Sequence, residues 1–241
     1  MSIIKDALEY LVGLKQAKTF NIDGRTYADG GLTLVEEAAP SPRRIEISSL
    51  GSLVKLVRSE NKHFVVPTFI RIENEREITV FSTYCITDKY NRYVYYDVGC
   101  SAPSFAPGWF EREDAMIKLM SVFVPNEGSE YILNLIGRMT QNSSIETDDN
   151  GITQKVTIKS GVEIKASTVI KPIVTLKPYR TFLEVEQPES AFLLRIGERA
   201  KIGLMEADGC KWVLDAKKNI AEFLENNLSE LVESGEIVIL P

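Results

Sequence analysis

The residues of this chain best suited to binding a ligand are two arginines in a strand-rich stretch. Arg180 and Arg195 lie within LKPYRTFLEVEQPESAFLLR, which ends at Arg195. A guanidinium group can bind a phosphate or a carboxylate through two parallel hydrogen bonds, so the pair could recognise an anionic ligand. The arginines could equally pair with glutamates of the same segment. We favour this second role, within the sheet or at a subunit interface.

Four tyrosines crowd a predicted hairpin further upstream: Tyr90, Tyr93, Tyr95 and Tyr96. Tyr93 and Tyr95 join Arg180 and Arg195 as the candidate ligand-binding residues. Their rings could form a stacking platform for bases, as on sheets that bind single strands. Cross-strand aromatic packing, which stabilises a sheet by up to about 1 kcal/mol per pair, is the favoured interpretation because few basic residues lie nearby.

Two acidic clusters could bind a metal ion. Glu111, Glu113 and Asp114 form the first, and Asp148 and Asp149 form the second. A metal-dependent hydrolase needs two or three carboxylates that converge on Mg²⁺. The first cluster lies at a predicted helix start, where negative charge is favourable, and the second precedes an Asn-Gly turn, where Asp is common. We therefore predict no metal site and no cofactor.

The sequence contains one histidine, His63, and lacks the common catalytic motifs. A Ser-His-Asp triad or a two-histidine zinc site would need more imidazoles or better-placed ones. A GxxxxGK[ST] phosphate loop, a GxGxxG motif after a strand and a CxxC pair are all missing from the sequence. We therefore predict that the protein is not an enzyme.

Composition and charge indicate an ordinary folded protein. Of its 241 residues, 44% are hydrophobic and 26% are charged, which is typical of a globular chain. The net charge of −6 argues against a protein that coats phosphate backbones, so nucleic acid is not an expected partner. No apolar run approaches the roughly 18 residues of a membrane span, so we expect no membrane partner.

The three cysteines, Cys85, Cys100 and Cys210, are widely spaced and odd in number. Secreted disulfide frameworks usually have an even and denser set, so a reducing cytoplasm is the expected location. We expect buried free thiols rather than a disulfide between Cys85 and Cys100 across the hairpin.

Apolar periodicity predicts helices at four places. Residues at helical spacing from Ile3 to Leu14 predict an amphipathic helix over roughly residues 2–17, within an N-terminal segment 1–20. Ser48 or Ser49 can cap a second helix that ends near residue 59. A helical hairpin is predicted as an insertion at residues 109–141. The C-terminal segment 210–241 contains a helix over roughly residues 213–232 and a short strand.

The remaining segments have the composition and alternation of strands, over roughly residues 18–36, 63–98 and 144–208. Turns are predicted at Asp23-Gly24, Gly30-Gly31, Asn150-Gly151 and Ser160-Gly161. Pro178 and Pro188 restrict the residues before them to extended conformations, so TLKPYRTFLEVEQPES is predicted to form strand, bend, strand and corner. Phe182, Val185 and Phe192 are predicted to be core side chains.

Together these elements predict a single α+β domain over residues 1–241. We expect an antiparallel β-sandwich of jelly-roll-like form, because the strands are many and short and are separated by turn signals. The helical hairpin interrupts this sandwich, and the terminal helices flank it.

The order of several segments resembles the YfdQ-like family of uncharacterised phage and prophage proteins. The similar segments are PGWFEREDAMIKL, DDNGITQKVTIKSGV, PIVTLKPYRTFLEVEQPESAFLLRI and EADGCKWVL, with Trp109 and Gly151 as anchors. The resemblance covers most of residues 45–220. It implies a phage or prophage origin and no assigned activity, and it supplies no functional residues.

Three hypotheses of function follow. The leading one is a non-enzymatic phage accessory protein of the host bacterial cytoplasm that self-assembles into a symmetric homo-oligomer through its N-terminal helix and sheet edges. The second is a protein that sequesters a nucleotide-like host signal through Arg180, Arg195 and the tyrosines. The third is a metal-dependent hydrolase that uses Glu111, Asp114, Asp148 or Asp149.

Overall fold

A computed structural model gives the fold of this chain and describes residues 18–22, 25–28, 33–34, 43–86, 90–139, 144–149, 154–160 and 163–241. The chain divides into two compact units, Met1–Ser41 with Ile86–Tyr90, and Pro42–Cys85 with Asn91–Pro241. The amphipathic helix predicted over residues 2–17 lies outside the described residues. So do the four predicted turns, except for Ser160, which ends a strand.

The described part of the first unit contains a three-stranded antiparallel sheet. Its strands are β1 (Thr19–Ile22), β2 (Arg25–Ala28) and β3 (Thr33–Leu34), in that order. In the antiparallel pair β1–β2, Thr19 lies opposite Ala28 and Ile22 lies opposite Arg25.

The second unit contains twelve strands and five α-helices among its described residues. The strands are β4 (Ile45–Ile47), β5 (Thr68–Asn74), β6 (Glu77–Ser82), β7 (Val94–Gly99), β8 (Gly108–Phe110), β9 (Ser144–Asp149), β10 (Gln154–Ser160), β11 (Glu163–Ile170), β12 (Ile173–Leu176), β13 (Ser190–Ile196), β14 (Ile202–Glu206) and β15 (Ile237–Leu240). The helices are α1 (Leu50–Glu60), α2 (Arg112–Ser121), α3 (Glu127–Arg138), α4 (Lys211–Asn227) and α5 (Ser229–Glu233).

The first apolar core lies between a five-stranded mixed sheet and two helices. The strand order is β15-β5-β6-β7-β4, and the two outer strands run parallel to their neighbours. Alternate residues of β5 and β6, such as Ile70 and Val80, point into this core. Helices α1 and α4 cover the same face with Leu53 and Ile220 among others.

The second core lies between a four-stranded antiparallel sheet and helices α2 and α3. The strand order is β12-β13-β14-β8. Phe192 and Leu194 of β13 point into this core, where they meet Leu119 of α2 and Ile132 of α3. The antiparallel sheet β11-β10-β9 adds the buried residue Val156.

Capping residues set where two of these helices begin. Ser49 Oγ accepts a hydrogen bond from the Ser52 backbone N–H at 3.2 Å, which confirms the predicted cap of α1. At the start of α3, the Asn126 side chain accepts from the Ser129 N–H at 2.9 Å, and the Ser129 hydroxyl accepts from the Asn126 N–H at 2.9 Å. This reciprocal pair is a capping box.

The segment between β12 and β13 is irregular, so the strand predicted within it is wrong. Gln187 Oε1 accepts hydrogen bonds from the backbone N–H groups of Arg180 at 3.0 Å and Thr181 at 3.2 Å, and its Nε2 donates to the Phe182 carbonyl at 2.9 Å. A side chain thereby occupies backbone groups that a neighbouring strand would otherwise bind. Phe182 and Val185 are buried in the first core, as predicted.

The second unit is therefore an α+β arrangement of mixed and antiparallel sheets. Two helices, α2 and α3, lie within the predicted insertion at 109–141, and α4, α5 and β15 lie within the segment 210–241. The described strands show neither a closed barrel nor a jelly roll. Each of the two cores combines one sheet face with helices instead.

The first turn of α3 packs closely against the edge strand β12. Asn126 Nδ2 donates a hydrogen bond to the Thr175 carbonyl at 3.0 Å. A Cβ atom at Gly128 would overlap the same carbonyl oxygen, so glycine permits this approach. The contact uses a backbone acceptor that would otherwise be free at the sheet edge.

Gly128→Ala is expected to destabilise the protein although alanine favours helices. The added methyl group must push α3 away from the Thr175 backbone, which costs about 1–3 kcal/mol of unfolding free energy. Gly137→Ala is the matched control, because it lies in the same helix and a Cβ there meets nothing within 4 Å. The control should be neutral or stabilising by up to about 1 kcal/mol. Urea unfolding measures both, and equal effects would contradict the packing argument.

Candidate functional site

Arg180 is buried and forms an ion pair. Its side chain is only 5% exposed, and its Nη1 donates to Glu206 Oε1 at 2.6 Å. Its Nη2 donates to Ser190 Oγ at 2.5 Å, and the guanidinium lies 4.0 Å from the ring centroid of Trp212. The carboxylate partner comes from β14 rather than from the glutamates of its own segment.

A second carboxylate extends this cluster. Ser190 Oγ donates to Asp208 Oδ2 at 2.6 Å, and Asp208 Oδ1 accepts from the Cys210 backbone N–H at 3.2 Å. Burial lowers the pKa of Arg180 below its ordinary value, while the nearby carboxylates of Glu206 and Asp208 act in the opposite direction. One cation thus faces two carboxylates, so the cluster has no excess positive charge with which to hold an anion.

A cleft of about 520 Å³ borders this cluster on the side of Ser190 and Asp208. Its other ionisable lining residues are Glu186, Glu189, Asp215 and Lys211. Lys177 donates to Glu186 at 2.8 Å and thereby lowers the pKa of that carboxyl group. The cleft is predominantly acidic, which disfavours a phosphate-bearing ligand at this place.

Arg195 lies on the outward face of the four-stranded sheet, away from Arg180. Strand pairing places Arg195 opposite Gly203 and Gly203 opposite Trp109. A second row crosses the same face from Ile173 through Leu193 to Met205. We call these five side chains the Trp109 face: Trp109, Ile173, Leu193, Arg195 and Met205. Trp109 is 52% exposed and Ile173 is 49% exposed.

Tyr95 and Tyr96 are core residues of the five-stranded sheet. The ring of Tyr95 stacks on Phe64 with centroids 4.5 Å apart, and its hydroxyl accepts from the Val65 N–H at 3.0 Å. Tyr96 is buried and donates to Glu60 Oε2 at 2.5 Å. Tyr93 is half-buried and packs against the same core. These contacts agree with the packing interpretation for Tyr93, Tyr95 and Tyr96, whereas Tyr90 is exposed.

An aromatic and cationic surface that we did not predict lies on the other face of this sheet. Phe69 and Phe81 pair across β5 and β6, with ring centroids 5.5 Å apart. The guanidinium of Arg92 lies 5.3 Å from each of these rings and 4.0 Å from the ring of Tyr84. Arg71 lies 5.4 Å from Phe81. We call these five residues the aromatic–arginine face: Phe69, Arg71, Phe81, Tyr84 and Arg92.

The alternation of inward and outward residues in the strand sequences TFIRI and ITVFS could have predicted this surface. If Ile70 and Val80 point inward, then Phe69 and Phe81 must point outward. The pairing of the two phenylalanines depends on the register of β5 against β6, and the position of Arg92 depends on the connection that leads into β7.

The predicted acidic residues are not brought together into a described metal site. Glu111 pairs with Lys201 at 2.9 Å, and Asp114 is exposed in the first turn of α2. The side chains of Asp148 and Asp149 lie outside the described ones. Where side chains are described, no three His, Cys, Asp or Glu residues are grouped to hold a metal ion.

The remaining candidate residues lie apart from these surfaces. His63 is exposed at the end of a short 3-10 helix. None of the three cysteines forms a disulfide; Cys85 and Cys100, which were expected to be buried, are half-buried, and Cys210 is exposed.

No family model, no curated protein and no solved structure matches this chain. No helix within the described ranges is long and apolar enough to cross a membrane. The resemblance to the YfdQ-like family stays a prediction.

Arg180→Met is expected to lower the free energy of unfolding by about 3–5 kcal/mol, because it leaves the Glu206 and Asp208 carboxylates beside a buried site without their cation. The double variant Arg180→Met with Glu206→Gln should recover part of this loss. Lys177→Met is the control, since it breaks only ion pairs with the exposed Glu186 and Glu189, and its effect should be far smaller. Urea unfolding compares the three, and an equally small loss for Arg180→Met would contradict the role of the ion pair.

Tyr96→Phe is expected to make the free energy of unfolding fall less steeply as the pH rises into the alkaline range. Burial, and next the hydrogen bond to Glu60, raise the pKa of Tyr96 in the folded protein, whereas tyrosine in an unfolded chain ionises near pH 10. The neutral phenol therefore makes its full contribution to the free energy of unfolding below about pH 10. Above it, this contribution falls by up to about 1.4 kcal/mol per pH unit. Unfolding free energies measured between about pH 9 and about pH 11 check this, and equal slopes for the variant and the wild type would refute it.

Proposed function

We propose that this chain is a non-enzymatic accessory protein of a phage or prophage that forms a symmetric homo-oligomer in the host bacterial cytoplasm. The observation that carries the assembly is the Trp109 face. The phage origin and the location depend on the family resemblance and on the cysteine pattern.

The Trp109 face is an apolar surface on an otherwise well-covered sheet. Phe192, Leu194 and the other inward residues of β13 lie under helices, whereas Leu193 and Arg195 point to the opposite side. Burying an aliphatic or aromatic side chain contributes about 1.5–3 kcal/mol. Trp109 and Ile173 are exposed, and Leu193 and Met205 between them are half-buried. Contiguous apolar side chains at a surface commonly mark protein–protein contacts.

Trp109 is held rigidly in an exposed position. A Cβ atom at Gly197 or at Gly203 would lie 2.8 Å or 2.9 Å from the Trp109 ring, so the six-membered ring of the indole packs closely against both glycines. A rigid ring loses little conformational entropy when a partner covers it. Tryptophan and arginine are also the residues most often responsible for binding energy at interfaces, and Arg195 lies in the same row.

A second copy of the chain is the partner that fits this surface. In a two-fold symmetric contact each copy presents the same patch, so an apolar row can meet its own copy without needing a different partner. Pairing along the edge of β12 is less favourable, because α3 already covers the Thr175 carbonyl. The N-terminal helix of the original hypothesis lies outside the described residues.

The finer fold prediction and the other two functions have less support. A jelly-roll-like sandwich is not part of the proposal, because helices cover one face of each large sheet. Binding a nucleotide-like signal at Arg180 would require breaking its ion pair with Glu206. No observation favours a metal-dependent hydrolase over the other candidates.

Ile173→Lys is expected to weaken self-association by at least about tenfold, because it places a charge at the exposed end of the apolar row. Leu214→Lys is the matched control, since Leu214 is 69% exposed on α4 and lies outside the Trp109 face. Sedimentation velocity at two protein concentrations measures the effect. A wild-type monomer at micromolar concentration, or equal effects of the two substitutions, would contradict the proposal.

A further inference from the structure

The aromatic–arginine face forms part of a continuous row across four strands of the five-stranded sheet. Strand pairing places Val238 beside Phe69, Phe69 beside Phe81, and Phe81 beside Val94. Neighbouring strands are about 4.8 Å apart, so the row is roughly 14 Å long. Helices α1 and α4 cover the opposite face of the sheet, and the four residues of this row are half-buried rather than enclosed.

Arg92 and Tyr84 add an exposed cation and an exposed aromatic ring to this row. Arg92 is exposed, and its guanidinium lies 4.0 Å from the centroid of the Tyr84 ring. Among the described residues its hydrogen bond goes to the neutral carbonyl of Ser82, at 3.1 Å, and not to a carboxylate. The cation is therefore fixed in place while it keeps the capacity to attract an anion. Tyr84 is 56% exposed, so part of its ring surface is accessible to a ligand.

We propose that the aromatic–arginine face binds single-stranded nucleic acid, with unpaired bases stacked on Tyr84 and Arg92 and a phosphate near the Arg92 guanidinium. Planar bases stack on aromatic rings and on guanidinium planes, and a fixed cation attracts the phosphate between them. An open sheet face with rings on its surface and helices behind it is the arrangement that exposes such stacking surfaces. Paired bases in a duplex are already stacked on each other, so only the bases of an unpaired strand can stack on Tyr84 and Arg92.

The charges around this face set the expected strength of binding. Arg71 pairs with Glu73, and Asp97 pairs with Arg44 and accepts from Thr79 Oγ1 at 3.3 Å. The charges of Arg71 and Arg44 are thus largely neutralised by their carboxylate partners. Arg92 is therefore the main positive charge on this face that can attract a phosphate. With a net charge of −6 for the whole chain, binding is weak and falls steeply as salt is added.

Fluorescence anisotropy with a dye-labelled oligothymidylate at low salt tests the proposal. The wild type is expected to bind with a dissociation constant in roughly the micromolar range and to release the strand on addition of salt. Tyr84→Ala should weaken binding by about 5- to 150-fold, the effect of losing one stacked base. Arg92→Lys keeps the charge but removes the planar group, so it should weaken binding while keeping the salt dependence.

Matched controls separate this site from the rest of the molecule. Arg138→Ala removes an exposed arginine at the end of α3 and should leave binding unchanged. Ile173→Lys, which tests self-association, should change the oligomeric state without abolishing strand binding at Tyr84. Thermal unfolding of each variant shows whether it folds, and the exposure of Tyr84 and Arg92 makes their substitution compatible with folding.

Three results would overturn the inference. The first is no change in anisotropy at protein concentrations of roughly tens of micromolar. The second is unchanged affinity in both Tyr84→Ala and Arg92→Lys. The third is competition by adenosine monophosphate as effective as that by the unlabelled strand, which would identify a mononucleotide site instead.

Discussion

The irregular segment between β12 and β13 is the connection on which the arrangement of the second unit depends. Leu176 before it and Phe192 after it belong to the second core, whereas Phe182 and Val185 within it belong to the first. The two cores therefore cannot separate without drawing Phe182 and Val185 out of their apolar surroundings. Burial of these side chains links two sheets that otherwise pack on different helices.

Hydrogen bonds fix this segment more tightly than apolar contacts could. Thr181 Oγ1 donates to the Glu75 carbonyl at 2.6 Å, and Arg76 Nη1 donates to the Arg180 carbonyl at 3.3 Å, so the β5–β6 turn holds the backbone. On the other side, the Arg180 guanidinium pairs with Glu206 of β14. A buried cation is tolerated only beside its partner, so the ion pair favours one position of the segment over all others. The most signature-like stretch of the sequence is thus an internal connector.

The two large sheets are layered in the same way, but the faces opposite their helices differ in chemistry. Helices cover one face of each, and the described side chains of the Trp109 face and of the aromatic–arginine face are exposed or half-buried on the other. The Trp109 face is mainly apolar, and its indole rests on glycines, which suits contact with another protein surface. The aromatic–arginine face places an exposed cation against accessible rings, which suits planar anionic ligands. The two proposed interactions therefore use separate sets of residues and can be tested independently.

The sequence by itself determined the α+β composition, a cap of α1 at Ser48 or Ser49 and the core positions Phe182, Val185 and Phe192, because these depend on local periodicity and on short-range capping. It did not determine which residues meet across strands. The pairing of Arg180 with Glu206 and the stacking of Trp109 on Gly203 join distant parts of the chain, and they follow from strand register. The irregular backbone path after Pro178 could not be predicted from the sequence either. There the side chain of Gln187, later in the chain, binds a backbone group that strand pairing would otherwise use. Only the tertiary structure decided these contacts, because each depends on two segments that the local pattern cannot bring together.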